Sequence, residues 1–355
     1  MKVIIALGFI LALTINKVEA KPFVLACEPE WQSLALEIGG ELIKVDSATH
    51  GQQNPHFIRV KPSLMSKIRR ADLIVCSGAD LEVGWLPLLL RNGNKAVQAG
   101  QPGHLLISDY VTNIEIPDVV DRSLGDIHPQ GNPHVHLDPQ IILEAAALIE
   151  ARLSLIDPNN AGTYKNNLTS FNSRWNAALE NWIIAAEPLA GRSVITYHKS
   201  FSYLLKFLGM NTLTSLEERP GIPPSARHLA TVVSIIEKTP PLAVITSPFD
   251  PEGPNKWVVK KTGVLGELDW KKNVDLVSIY KKCGLRKNKD FCKRHTWKIS
   301  EDQYISLYSK DNGRANTENK YELPPPIDEK LYFGKTFLSK FKIACFATAK
   351  PPCKP

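Results

Sequence analysis

The chain has 355 residues, 43% of them hydrophobic, which suits a globular protein of two domains and excludes a disordered or fibrous one. The net charge of +7 does not mark a nucleic-acid binder. Residues 284–355 carry 15 Lys and Arg against 8 Asp and Glu, so the whole basic excess sits in the C-terminal tail. No apolar run beyond the first twenty residues is long enough to span a bilayer.

The first twenty residues read as a secretory signal. Lys2 supplies the positive start, Val3 to Ile15 the apolar stretch, and Val18-Glu19-Ala20 the cleavage positions. Export to a periplasm is expected. No Cys follows the cut, so a lipid anchor there is not expected. A strand over 22–27, a helix over Trp31 to Gly39, a strand over Leu42 to Val45, a helix over Pro62 to Arg70 and a strand over Asp72 to Ser77 come next. Such alternation predicts a parallel α/β sheet. Cys27 and Cys76 each fall at a strand end, where they either pair across one sheet edge or stay as buried thiols.

Near residue 157 the pattern changes. Asp157-Pro158 reads as a capping carboxylate followed by Pro at the first helical position. Tyr164, Leu168, Phe171, Trp175, Leu179 and Trp182 then form one apolar stripe. A helix over 157–187 would be roughly 40 Å long, a core helix or a stiff strut between lobes. Strands over Ser193–Tyr197 and Leu242–Thr246 and helices over Ser200–Leu208 and Ser225–Lys238 then restore the alternation. The expected fold class is α/β: two Rossmann-like lobes with parallel sheets, joined by one long rigid helix. The expected division is 1–20 signal, 21–156 first lobe, 157–187 helix, 188–283 second lobe and 284–355 a basic tail.

Of nine histidines, three share a setting. His56 follows Asn54-Pro55, His134 follows Asn132-Pro133, and His198 ends a strand. Ligands of parallel α/β sheets lie at the carboxyl ends of strands. Three imidazoles and one oxygen complete a tetrahedral zinc site. No Cys-x-x-Cys pair offers a thiolate cage, and neither His-Glu-x-x-His nor Gly-x-Ser-x-Gly is present.

Ordered words extend this reading: Asn54-Pro-His56, Lys61-Pro-Ser63, Gly78-Ala-Asp-Leu-Glu82, Trp85, Gly125-Asp-Ile-His-Pro129, Gly131-Asn-Pro-His-Val-His-Leu-Asp-Pro139, Tyr197-His-Lys-Ser200, Tyr203 and Leu216-Glu-Glu-Arg-Pro-Gly-Ile-Pro-Pro224. With them the chain resembles the periplasmic solute-binding proteins of bacterial zinc and manganese ABC importers, from about residue 22 to residue 264 and more loosely to about 283. The resemblance implies a metal held between two lobes by His56, His134 and His198. It implies delivery to a membrane permease driven by an ATPase, by a monomer that is not an enzyme. Manganese-binding relatives commonly carry a carboxylate at the third position, so His198 favours zinc, with manganese next. Asp269, Glu217 or water are candidates for the fourth ligand. His136 stands where relatives usually carry an aromatic side chain and is expected behind the ligands. His128 is expected there too, or as a transient ligand. The His-rich loop of many zinc relatives is missing.

The tail from 284 departs from the family, with Lys-rich stretches and Pro324-Pro-Pro326, and four of the six cysteines lie from Cys283 onward. It reads as a disturbed reading frame or as a lineage-specific extension. Two other functions compete: a metal-dependent hydrolase of α/β fold, with Glu217 or Glu218 as base, and a metal-binding surface adhesin.

Overall fold

The computed structural model describes residues 20–264 apart from 122 and 124. In chain order the elements are β1 Phe23–Ala26, α1 Pro29–Gly39, β2 Lys44–Ser47, α2 Pro62–Arg70, β3 Leu73–Cys76, α3 Leu86–Arg91, β4 His104–Leu106, α4 Pro139–Ile156, α5 Ala161–Ala186, β5 Ser193–Thr196, α6 Ser202–Phe207, β6 Asn211–Ser215, α7 Ala226–Lys238, β7 Val244–Ile245 and α8 Glu252–Thr262. Strands β2-β1-β3-β4 form one sheet and β6-β5-β7 a second, and every pairing is parallel. No helix among the described residues is long and apolar enough to cross a membrane.

Strands β1 and β3, at the centre of the first sheet, show why they read as continuous apolar runs. Successive side chains point to opposite faces. Val24, Ala26, Leu73 and Val75 enter one core, with Trp31, Ile142 and Trp175. Leu25, Cys27, Ile74 and Cys76 enter the other, with Ile68 and Trp85. Both faces are therefore covered, as a parallel sheet requires. The first core continues into the second lobe through Val194, Phe201, Tyr203 and Ile245.

The long helix lies along that shared core. Tyr164, Phe171, Trp175 and Leu179 of the stripe are buried, while Ile183 and Ile184 are exposed. Each fully buried side chain of this size contributes about 1.5–3 kcal/mol. Trp175 Nε1 also donates to Pro139 O at 2.7 Å, tying α5 to the start of α4.

Several expectations need correction. Residues 158–160 form a 3-10 turn, and the α-helix starts at Ala161. Asp157 caps no backbone amide; its carboxylate accepts from Asn160 Nδ2 at 2.8 Å and from Tyr164 Oη at 2.6 Å. A 3-10 turn over Gly40–Leu42 displaces the second strand to Lys44–Ser47. The strand read over 242–246 is regular only at Val244 and Ile245, with a single bridge at Thr246 and a bond from Leu242 N to Ser193 O at 2.7 Å. Cys27 and Cys76 form a disulfide with Cα atoms 4.8 Å apart, and it joins the two central strands rather than an edge. α4 and α8, and strands β4 and β6, complete the lobes. Asp138-Pro139 starts α4, with the Asp138 carboxylate accepting from Gln140 N at 2.8 Å.

Candidate metal centre

His198 follows the carboxyl end of β5 by two residues, His56 follows β2 by nine, and His134 stands before the 3-10 turn Val135–Leu137 that leads into α4. The two Asn-Pro-His words build the same turn. Asn54 Oδ1 accepts from His56 N at 3.0 Å, and Asn132 Oδ1 accepts from His134 N at 3.0 Å. An Asn side chain that binds the amide two residues on makes a local turn, and the Pro between them fixes φ. Two distant aromatic residues anchor the turns. Trp85 Nε1 donates to Pro55 O at 2.8 Å, and Tyr203 Oη donates to Asn132 O at 2.8 Å. Asn132 Nδ2 donates to Lys199 O at 2.8 Å, so the His134 turn is fastened to the segment that carries His198.

The three rings form a nearly equilateral triangle. Their centroids are 5.5 Å (His56–His134), 5.7 Å (His56–His198) and 5.6 Å (His134–His198) apart. One donor atom from each lies within 4.8 Å of the others. The outer nitrogens of two rings are held by carboxylates. His56 Nδ1 pairs with Asp126 Oδ2 at 3.0 Å, and His198 Nδ1 with Glu217 Oε2 at 2.7 Å. A carboxylate on Nδ1 draws the proton there and leaves the Nε2 lone pair for a cation. Nε2 of His56 and Nε2 of His134 are buried without a hydrogen-bond partner. Burial, reinforced by the neighbouring imidazoles, holds the His134 pKa well below the ordinary histidine value and keeps it a neutral donor. The hydrogen bond from His56 keeps Asp126 below the ordinary carboxylate range.

These carboxylates belong to one hydrogen-bonded chain between the lobes. Glu217 Oε2 also accepts from Gly221 N at 2.9 Å, and Pro220 O accepts from Asp126 N at 2.8 Å. His198 is thus linked through Glu217, the 217–221 turn and Asp126 to His56. The close approach depends on glycine. Gly125 has φ +100°, and a Cβ there would meet Pro220 O at 2.3 Å.

Glu217, offered as a fourth ligand, is not among the converging donors; its carboxylate holds His198 and the Gly221 amide. Asp269, the other candidate, lies outside the described residues. His136 lies one ring further back, its centroid 5.9 Å from His134 and its Nε2 3.5 Å from Glu30 Oε1. His128 is closer, 5.2 Å from His56 between centroids, and its Nδ1 lies 2.9 Å from Ala79 O. Sequence reasoning missed Asp126, although it stands inside Gly125-Asp-Ile-His-Pro129; an acidic residue two places from a histidine was the available signal. It missed the buried acids Glu28, Glu30 and Glu82 as well. Glu82 accepts from Ser77 N at 2.8 Å, and burial pushes its pKa up to about 7. A cleft of about 380 Å³, lined by Glu115, Asp118, Asp126 and His128, leads to His134 and His198.

Known proteins share this arrangement of sheets. The chain is 22% identical to a crystal structure of ZnuA, with a TM-score of 0.60 over 74% of this chain and 96% of that one. Against a manganese-bound periplasmic metal-binding protein of Candidatus Liberibacter asiaticus the identity is 20%, with a TM-score of 0.56 over 70% and 87%. Among sequences, it is 26% identical to the high-affinity zinc uptake system protein ZnuA of Yersinia pestis, over 61% of this chain and 72% of that protein. It is 24% identical to the manganese ABC transporter substrate-binding lipoprotein PsaA of Streptococcus pneumoniae, over 64% and 72%. The family model described as ZnuA, zinc-uptake complex component A periplasmic, matches residues 24–277, and the chain belongs to that family.

Proposed function

We propose that the chain captures one zinc ion between its lobes through His56, His134 and His198 and delivers it to the permease of an ABC importer powered by its ATPase. The observation that carries this reading is the convergence of three imidazoles from both lobes, with buried Nε2 atoms of His56 and His134 that have no partner. Three nitrogen donors suit zinc, and an oxygen-rich site would suit manganese better. Relatives named for zinc, manganese and iron all match, so the donor set carries the choice of metal. Asp126 and Glu217 act as positioning residues that fix the tautomer and orientation of His56 and His198. Glu217, one of the two bases offered for a hydrolase, is held by His198 Nδ1 and the Gly221 amide.

In the same reading residues 1–20 direct export to the periplasm, and residues 157–187 join lobes 21–156 and 188–283. Delivery requires that the permease bind loaded and empty forms unequally. The test is metal content and zinc affinity of the full chain beside a His56→Ala/His134→Ala/His198→Ala variant. One zinc per chain, lost in the variant and outcompeting manganese, is expected. Weak binding that survives the triple change refutes the reading, and a preference for manganese refutes the choice of metal.

A further inference from the structure

A second set of donors lies beside the first. His56, Asp126 and His128 each offer one ligand atom, and these atoms lie within 4.8 Å of one another. His56 is common to both sets. The His128 ring is fixed by its Nδ1, which lies 2.9 Å from Ala79 O, so a neutral ring donating there keeps its lone pair on Nε2. That Nε2 is buried and has no hydrogen-bond partner.

The segment that carries Asp126 and His128 is held from both sides. Asp126 N donates to Pro220 O at 2.8 Å in the second lobe, and Arg219 Nη1 donates to Ser123 O at 2.8 Å. Ala79, the partner of His128, belongs to the turn after β3 in the first lobe. The donors are therefore fixed by the fold rather than carried on a free loop. They also lie on the way in. Asp126 and His128 line the same cleft as His134 and His198. The Asp126 side chain is 29% exposed, whereas His134 is 3% exposed.

Resting on the reading of His56, His134 and His198 as the cargo site, we propose that His56, Asp126 and His128 form an outer site for a divalent first-row cation, through which the cargo passes to the inner site. A neutral imidazole has one lone pair, so His56 serves one set at a time and the two sites exclude each other. The mixed site of one carboxylate and two imidazoles, open to the cleft, admits an ion early. The inner site of three imidazoles holds zinc more tightly. Transfer exchanges Asp126 and His128 for His134 and His198 with no net change in protons.

The experiment removes the inner donors and keeps the outer ones. A His134→Ala/His198→Ala full chain is titrated with zinc chloride by calorimetry, with folding followed by circular dichroism. It is expected to bind one zinc at least a hundredfold more weakly than wild type, and to lose that ion on adding His128→Gln or Asp126→Asn. A folded double variant that binds no zinc overturns the proposal, as does an ion that survives both further changes. If the double variant does not fold, stopped-flow capture of zinc decides: His128→Gln in the otherwise native chain is expected to slow it about tenfold, and an unchanged rate overturns the proposal. A native chain that binds no zinc would instead sink the underlying reading of the inner site.

Discussion

Replacing Gly125 by Ala perturbs the metal centre without touching any candidate ligand. The new methyl group would stand 2.3 Å from Pro220 O, at a residue with φ +100°. A non-glycine residue in such a conformation costs about 1–3 kcal/mol. Relief requires the segment to withdraw by about 1 Å, since carbon and oxygen atoms need roughly 3.2 Å. Withdrawal breaks the bond from Asp126 N to Pro220 O, which contributes about 1 kcal/mol. The metal-free protein is therefore expected to lose about 2–4 kcal/mol. As Asp126 moves, His56 loses the carboxylate on its Nδ1. Loss of such a partner weakens metal binding about 10–100-fold. Denaturant unfolding measures the first effect and competition with a chelator the second. Gly162→Ala is the control: it lies in α5 with nothing near the new methyl, and should stabilise by up to about 1 kcal/mol. If Gly125→Ala leaves stability within 0.5 kcal/mol and affinity within about twofold, the inter-lobe hydrogen-bond chain does not organise the site.

Three further outcomes are expected. Glu82 has its pKa raised from 4.5 to about 7, so its contribution to stability is complete below pH 4.5 and is lost as the pH rises to about 7. The loss amounts to about 3 kcal/mol, and Glu82→Gln, which cannot ionise, should gain that much on the wild type between pH 4.5 and 8; an equal difference at both pH values would refute the assignment. Glu217→Ala should weaken zinc binding about 10–100-fold without changing the number of coordinating atoms seen by X-ray absorption, and a lost ligand would return Glu217 to the coordination sphere. Reduction of the Cys27–Cys76 disulfide, or Cys27→Ser with Cys76→Ser, opens a loop of sequence separation 49 and should cost about 2–4 kcal/mol in thermal unfolding; unchanged stability would show that the cross-link is not formed.

What the sequence determined by itself was local. The Asn-Pro-His words are turns whose hydrogen bonds span two residues, so their pattern is legible in the local sequence. The stripe from Tyr164 to Leu179 needs only a helical period to be recognised. Strands β1 and β3 read correctly as apolar runs because both of their faces are covered. The limits were also local: Asp157 looked like a helix cap because its neighbour is Pro158, yet Tyr164 and Asn160 claim its carboxylate. Tertiary structure alone decided which acids serve the histidines. Asp126 lies 70 residues from His56, and the amide of the same residue is held by Pro220 O of the other lobe. Glu217 and His198, on neighbouring segments, could equally have been a ligand pair or a ligand with its support, until the geometry put the carboxylate on Nδ1. A side chain's type limits what it can bind, but its role depends on which atom its partner presents, and that is set by packing between segments distant in the chain.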